Sequence, residues 1–326
     1  MHMNLAAASA VHRQSSHDFT TQGARSMKIT GYRRAALVVA SIGLLPTAAA
    51  AQKFGPWSDP VNAETLAGSS ASLNTPSNDG CPILSPYDET LYIASNRPGG
   101  YGGLDIWKAE RSGEGWGTPV NLGPAVNSAA DEFCPTPSRG NRLFFVRRLS
   151  STNTDMYVIK NGPNGLGTAA SVGPGVNSSA EEWSPSYFET ANGDEVMYFS
   201  STREGRQRIY YSVNFGPAQL APGGVNSSAA DARPNVRHDG LEIVWDSTRF
   251  GTLGGPDIFT ATRSSVDEPW DTAVHLDGPI NSAATESRAS LSWDGTRLMF
   301  GSTRPGVEGS ADVFTSTRSK VRGGGK

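Results

Sequence analysis

Thiols are scarce in this chain, runs of basic residues are missing, and no apolar stretch is long enough to span a membrane. Cys81 and Cys134 are the only cysteines in 326 residues. A structural zinc site needs four Cys, His or carboxylate ligands at suitable spacing, and none is seen. Histidine is equally sparse beyond residue 51, where only His238 and His275 occur, in different repeats. No metal and no other cofactor is therefore expected. Lys and Arg never cluster as phosphate recognition requires, which excludes nucleic acid as a partner. The longest apolar run, Ala35–Leu45, falls short of the roughly 20 residues of a bilayer-crossing helix. Helical periodicity is absent as well.

The short apolar run has another reading. Met27, Lys28, Arg33 and Arg34 precede it, and small residues ending in Ala49-Ala50-Ala51 follow it. Basic, apolar and small, in that order, is the layout of a secretory signal peptide, with cleavage expected between Ala51 and Gln52. Translation is then expected to start at Met27, with residues 1–26 upstream of it. No cysteine follows the cut to carry a lipid anchor, and the residues after Arg33-Arg34 match a twin-arginine signal poorly. Without residues 1–51 the chain holds 23 Lys+Arg against 30 Asp+Glu, a mildly acidic surface. The expected location is periplasmic or secreted, an oxidising setting for the two thiols.

What the chain has in abundance is a repeat. Five segments open on a short extended stretch, at Trp57, Trp116, Leu166, Phe215 and Trp270. Each continues through a loop carrying Asn74, Asn127, Asn177, Asn226 or Asn281, spaced 53, 50, 49 and 55 residues apart. Five residues after each asparagine stands an acid: Asp79, Glu132, Glu182, Asp231 and Glu286. Proline follows three residues later in four repeats (Pro82, Pro135, Pro185, Pro234), and Ala289 in the fifth. An apolar strand then ends in Arg97, Arg148, Arg203, Arg249 or Arg304, and a third strand begins near Asp105, Asp155, Ile209, Asp257 and Asp312. Four short strands in a period of about 50 residues describe a propeller blade. The expectation is an all-β, five-bladed β-propeller over residues 52–320, with four-stranded antiparallel blades. Its repeats run at about 57–115, 116–165, 166–214, 215–269 and 270–320, and 321–326 form a disordered tail. The last repeat lacks an outer strand, and Trp57–Asn62 is expected to supply it and close the ring.

The order of asparagine, acid, proline, turn, Ser-x-Arg and Gly-Gly-x-Asp-Ile-Trp resembles the WD-like repeats of TolB-type propellers of bacterial envelopes. Its sharpest instance is Ser95-Asn-Arg-Pro-Gly-Gly-Tyr-Gly-Gly-Leu-Asp-Ile-Trp107. The resemblance implies the fold and the compartment; such repeats occur both in protein-docking scaffolds and in the non-catalytic propellers of peptidases. No appended peptidase, OmpA-like or N-terminal TolB domain is expected within these 326 residues, a departure from such relatives.

Two readings compete for the acids and the strand-end arginines. In one, Asp79, Glu132, Glu182, Asp231 and Glu286 form a carboxylate ring at the channel mouth for a cation or a basic ligand. In the other, each acid pairs with an arginine to fix blade geometry, which repetition in every blade favours. The asparagines and the third-strand aspartates read as turn formers. More specific are the positions where the repeats disagree. Two residues after each acid stand Cys81, Cys134, Ser184, Arg233 and Arg288, expected by strand alternation on the same side as the acid. Arg233 and Arg288 are candidates for an anionic ligand. Cys81 and Cys134 are candidates for a disulfide between adjacent blades. Trp183, beside its acid like Phe133, and Tyr101, in a glycine-rich loop, are candidates for sugar or protein contact.

The function expected is an exported, non-catalytic scaffold, monomeric, with an envelope protein or a glycan as partner. The alternative is a glycan-active hydrolase using channel carboxylates. That chemistry needs one protonated and one ionised carboxyl group, whereas the acids here are equivalent by repeat and no residue is assigned a catalytic role.

Overall fold

A computed structural model describes residues 52–162, 165–276 and 278–321. The segments read above as signal peptide and upstream extension lie outside the described residues. Among the described residues no helix is long and apolar enough to cross a membrane, and the only helical turn is the 3-10 segment Ala63–Thr65.

Each blade is an antiparallel meander running from an inner strand outward. Blade 1 comprises Asp79–Leu84, Thr90–Ser95, Asp105–Ser112 and Val120–Asn121. Blade 2 comprises Glu132–Ser138, Arg142–Ser150, Asn153–Gly162 and Ala170–Ser171. Blades 3 and 4 follow from Glu182–Glu189 to Gln219–Leu220 and from Asp231–Val236 to Val274–His275. Blade 5 takes Glu286–Leu291, Arg297–Ser302 and Asp312–Thr317 from the end of the chain, and Val61–Asn62 from its beginning. The sequence repeat and the blade are thus offset by one strand, since the stretch opening each repeat completes the blade before it.

The core lies between blades. Phe144, Met156, Met197, Phe199 and Tyr210 pack blade 2 against blade 3, and Tyr198, Ile209, Ile243 and Trp245 do the same one blade further on. Alternation along the second and third strands supplies these side chains on both faces of each sheet, as a ring of stacked sheets requires.

Closure uses two devices. Val61 and Asn62 pair with Thr315 and Phe314, and Asn62 Nδ2 donates to Asp312 at 3.0 Å. Beyond this, Lys53–Phe54 forms a ribbon with Lys320–Val321, so Val321, expected in the tail, belongs to the fold, and the rest of the expected tail lies outside the described residues. The Arg318 guanidinium lies over Phe54 at 3.7 Å and Trp57 at 4.3 Å. It also donates to Glu242 of blade 4 at 2.8 and 2.7 Å. Cation–π contact and charge-assisted bonds in one half-buried place hold the chain ends to the ring.

Removal of residues 52–62 is predicted to release the third strand of blade 5 first. Amide exchange should quicken in Asp312–Thr317 before it does in blades 2 and 3. Uniform exchange across the blades would contradict closure by this strand.

Candidate functional site

The inner strands begin with the five acids, and all five are fully buried. An isolated carboxylate in such a place costs several kcal/mol, so each must be neutralised and hydrogen-bonded. The residue four positions earlier supplies a backbone N–H and a hydroxyl. Thr75 gives both to Asp79 at 2.7 Å, and Ser128, Ser178, Ser227 and Ser282 serve the other acids in the same way. An arginine supplies the charge: Arg97 to Asp79 at 2.6 Å, Arg203 to Glu182 at 3.1 Å, Arg249 to Asp231 at 2.5 Å and Arg304 to Glu286 at 3.1 Å. The same guanidinium donates to a carbonyl of the entry loop and covers an aromatic ring of the third strand. Arg249, for example, donates to Val225 O at 2.9 Å and lies 4.9 Å from the Phe259 ring.

Blade 2 corrects the expectation for Arg148. There Arg147 binds Glu132 at 2.7 Å, donates to Val126 O at 2.8 Å and covers Tyr157 at 4.9 Å. Register explains the exchange: Glu132 faces Arg147 where Asp79 faces Ser95. Arg147 therefore stands at the serine position of the other blades and reaches the lock directly from the strand. Arg148, one residue on and so on the opposite face, pairs with Asp131 at 2.8 Å and Glu181 at 3.5 Å instead.

The asparagines do more than shape turns. Asn127 accepts from Ile106 N at 2.8 Å and donates to Ile106 O at 3.0 Å, stitching each entry loop to the third strand of the preceding blade. Asn177, Asn226 and Asn281 repeat the pair of bonds, and Asn74 accepts from Val313 N across the closure at 2.9 Å. With the acid four residues beyond its neighbour, one loop ties two blades.

Two residues after each acid the inner strand bulges. Cys81, Cys134, Ser184, Arg233 and Arg288 all have left-handed backbone, with φ between 47° and 57°. In blade 1 the pairing skips from Gly80↔Ala94 to Ile83↔Tyr92, and the other blades show the same shift. A bulge inserts one residue and breaks alternation. The same-side expectation therefore fails: each carboxylate turns into its own blade, while the next-but-one residue lines the axial cavity. Non-glycine residues in this conformation cost about 1 kcal/mol each, and the ring carries the cost at five equivalent places.

Around that cavity Cys81 and Cys134 form a disulfide with their Cα atoms 4.9 Å apart, and Ser184 donates its hydroxyl to Cys134 Sγ at 3.1 Å. Arg233 is held by Asp246 through two bonds of 2.7 and 2.5 Å, and lies 5.7 Å from the Trp183 ring. Trp183 also meets the buried Phe133 edge-on at 6.2 Å, so it packs between blades. Arg288 approaches Asp246 only through its backbone N–H, at 3.0 Å. No Asp, Glu or His lines this cavity.

Both faces of the propeller carry features that the repeat pattern does not reveal. On the face where the inner strands start, Phe250 is fully exposed and Leu253 is 54 % exposed, both in the glycine-rich loop of blade 4. Tyr101 in the matching loop of blade 1 is 52 % exposed. At the opposite face, Arg139, Trp293 and His238 come from the inner hairpin turns of three blades. The guanidinium lies 4.7 Å from the indole, which stacks on the imidazole at 5.3 Å. They line a pocket of about 330 Å³ with Asp239 and Asp294. The sequence signals them only in that these turn residues differ between repeats. Among the described residues no cluster of His, Cys, Asp and Glu suits a metal ion.

No family model matches this chain, and comparison with curated protein sequences finds no match. Several solved structures are similar to it. One is a thermostable family-43 glycoside hydrolase, 14 % identical over 77 % of this chain and 92 % of that one, with a TM-score of 0.52. A putative TolB from Agrobacterium tumefaciens is 12 % identical over 83 % of this chain and all of its own, with a TM-score of 0.47. An endo-arabinase from Bacteroides thetaiotaomicron VPI-5482 is 15 % identical over 82 % and 99 %, with a TM-score of 0.44. At 14 % identity the likeness to the family-43 hydrolase shows the fold alone.

The two neighbouring arginines of blade 2 should separate in a stability measurement. Arg147→Met, which strips a fully buried carboxylate of its partner, is predicted to cost about 3–5 kcal/mol in urea unfolding. Arg148→Met breaks a partly exposed pair and should cost less than about 1 kcal/mol. Equal costs would contradict the pairing of Glu132 with Arg147.

Proposed function

We propose that this chain is an exported, non-catalytic β-propeller of the bacterial envelope that binds a protein partner through its loop-rich face. One observation carries the reading: that face holds Phe250, Leu253 and Tyr101 out in solvent. Large apolar side chains on loops of a rigid scaffold are what partner recognition uses. The carboxylates beneath them are closed to substrate, each holding an arginine and a hydroxyl donor.

A second reading, a glycan-active hydrolase, has one observation in its favour, on the opposite face. Burial and the neighbouring Asp294 push the Asp88 carboxyl up. Asp294 is itself raised by burial, but bonds from Thr296 and Ser292 outweigh this and bring it down to about 2. Two carboxyl groups pushed apart in this sense are the requirement for acid and base roles. Asp88, however, does not line the pocket that contains Trp293 and Asp294. The acids that do, Asp239 and Asp294, are both held ionised. For Asp239 the bonds from Arg237 overcome the effect of burial.

The two readings part in one experiment. Protein starting at Gln52 is predicted to release no product from a panel of chromogenic glycosides and oligosaccharides. Crosslinking in an envelope fraction should capture a partner that is lost with Phe250→Ser and Leu253→Ser. Turnover abolished by Asp88→Asn in a folded protein would replace the binding reading with the enzymatic one.

A further inference from the structure

The ring of bulged residues carries an unequal charge. Arg233 and Asp246 cancel each other within one bidentate pair. Arg288 remains, and among the described residues its guanidinium has no carboxylate or carbonyl acceptor. It extends from blade 5 to the backbone of blade 1, where a Cβ built on Gly80 would stand 2.6 Å from its Nη1. The residues equivalent to Gly80 are Phe133, Trp183, Ala232 and Ser287, so only blade 1 leaves room for the guanidinium to lie against it.

We propose that the axial cavity binds a small free carboxylate through Arg288. An arginine keeps its proton at any physiological pH, and a half-buried cation that shares one carboxylate, Asp246, with a second arginine is only partly compensated. Burial, and secondarily Arg233, pull its pKa down to about 10, with Asp246 offsetting only part of the effect. An anion in the cavity removes that penalty. The planar guanidinium fork matches the two oxygens of a carboxylate. Pro82, Pro135, Pro234 and Ala289 share the lining with Thr136, Ser184, Asn235 and Ser290, a mixed surface that suits an anion with a polar head and a short hydrocarbon tail. The free space is about 30 Å³, room for about two water-sized groups, so a carboxylate head fits there and a short hydrocarbon tail has to lie toward the open mouth of the cavity. This site is separate from the loop-rich face, so either can fail without the other.

Thermal unfolding of the protein starting at Gln52, in sodium acetate or propionate against sodium chloride and sodium phosphate at equal ionic strength, tests the assignment. Acetate and propionate at saturation are expected to raise Tm by about 5 °C over chloride. The difference is expected to vanish in Arg288→Met, which keeps an unbranched side chain there without its charge. Gly80→Ala provides a second variant, since the added methyl group displaces the guanidinium and should also abolish the difference. No carboxylate-specific rise in the unaltered protein, or a rise that survives either substitution, overturns the proposal.

Discussion

A carboxylate placed at the start of an inner strand has to be neutralised where it stands, and the rest of this propeller is arranged around that requirement. The acid takes an N–H and a hydroxyl from its entry loop and a guanidinium from the end of its second strand. The guanidinium in turn caps a carbonyl of the loop and a ring of the third strand. Loop and three strands of a blade are thereby joined through one buried ion pair. The asparagine next to the hydroxyl donor extends the connection to the previous blade. Buried ion pairs are poor sources of net stability but are strict about geometry, because breaking one strands a charge. Such a device, used once per blade, suits a ring in which each blade must meet its neighbours at the same angle.

The same requirement separates framework from recognition. Groups that recur in every blade are consumed by one another, which is why the conspicuous acids offer no open carboxylate. Apart from Arg147, which replaces the strand-end arginine in blade 2, the chief variation falls at positions that the lock does not use. These are the bulged residues around the axis, the tips of the glycine-rich loops and the inner hairpin turns. Disulfide, hydroxyl and two guanidinium groups occupy the first set, exposed apolar side chains the second, and the stack of Arg139, Trp293 and His238 the third.

Blade number, strand order and closure by the chain's own beginning are legible in the residues, since each rests on a pattern repeated at fixed spacing. So is the pairing of acids with arginines. Arg148 is misassigned by that pattern because two adjacent arginines differ only in which face of the strand they occupy, and that depends on register. The direction of the residue two places after each acid is also beyond it. Alternation holds only in an unbroken strand, and here non-glycine residues adopt positive φ with no glycine to mark the bulge. The contact of Arg288 with Gly80 joins residues 208 positions apart, and the exposure of Phe250 depends on how its loop projects. Neither leaves a periodic trace.

The claim that the acid–arginine lock holds each blade is tested most directly by a double-mutant cycle on Glu286 and Arg304, measured by urea unfolding. Arg304→Met alone should cost about 3–5 kcal/mol. Adding Glu286→Gln removes the stranded charge, so the double variant should be more stable than the two single costs imply, with a coupling energy of about 2 kcal/mol. Costs that simply add, to within about 0.5 kcal/mol, would contradict the account.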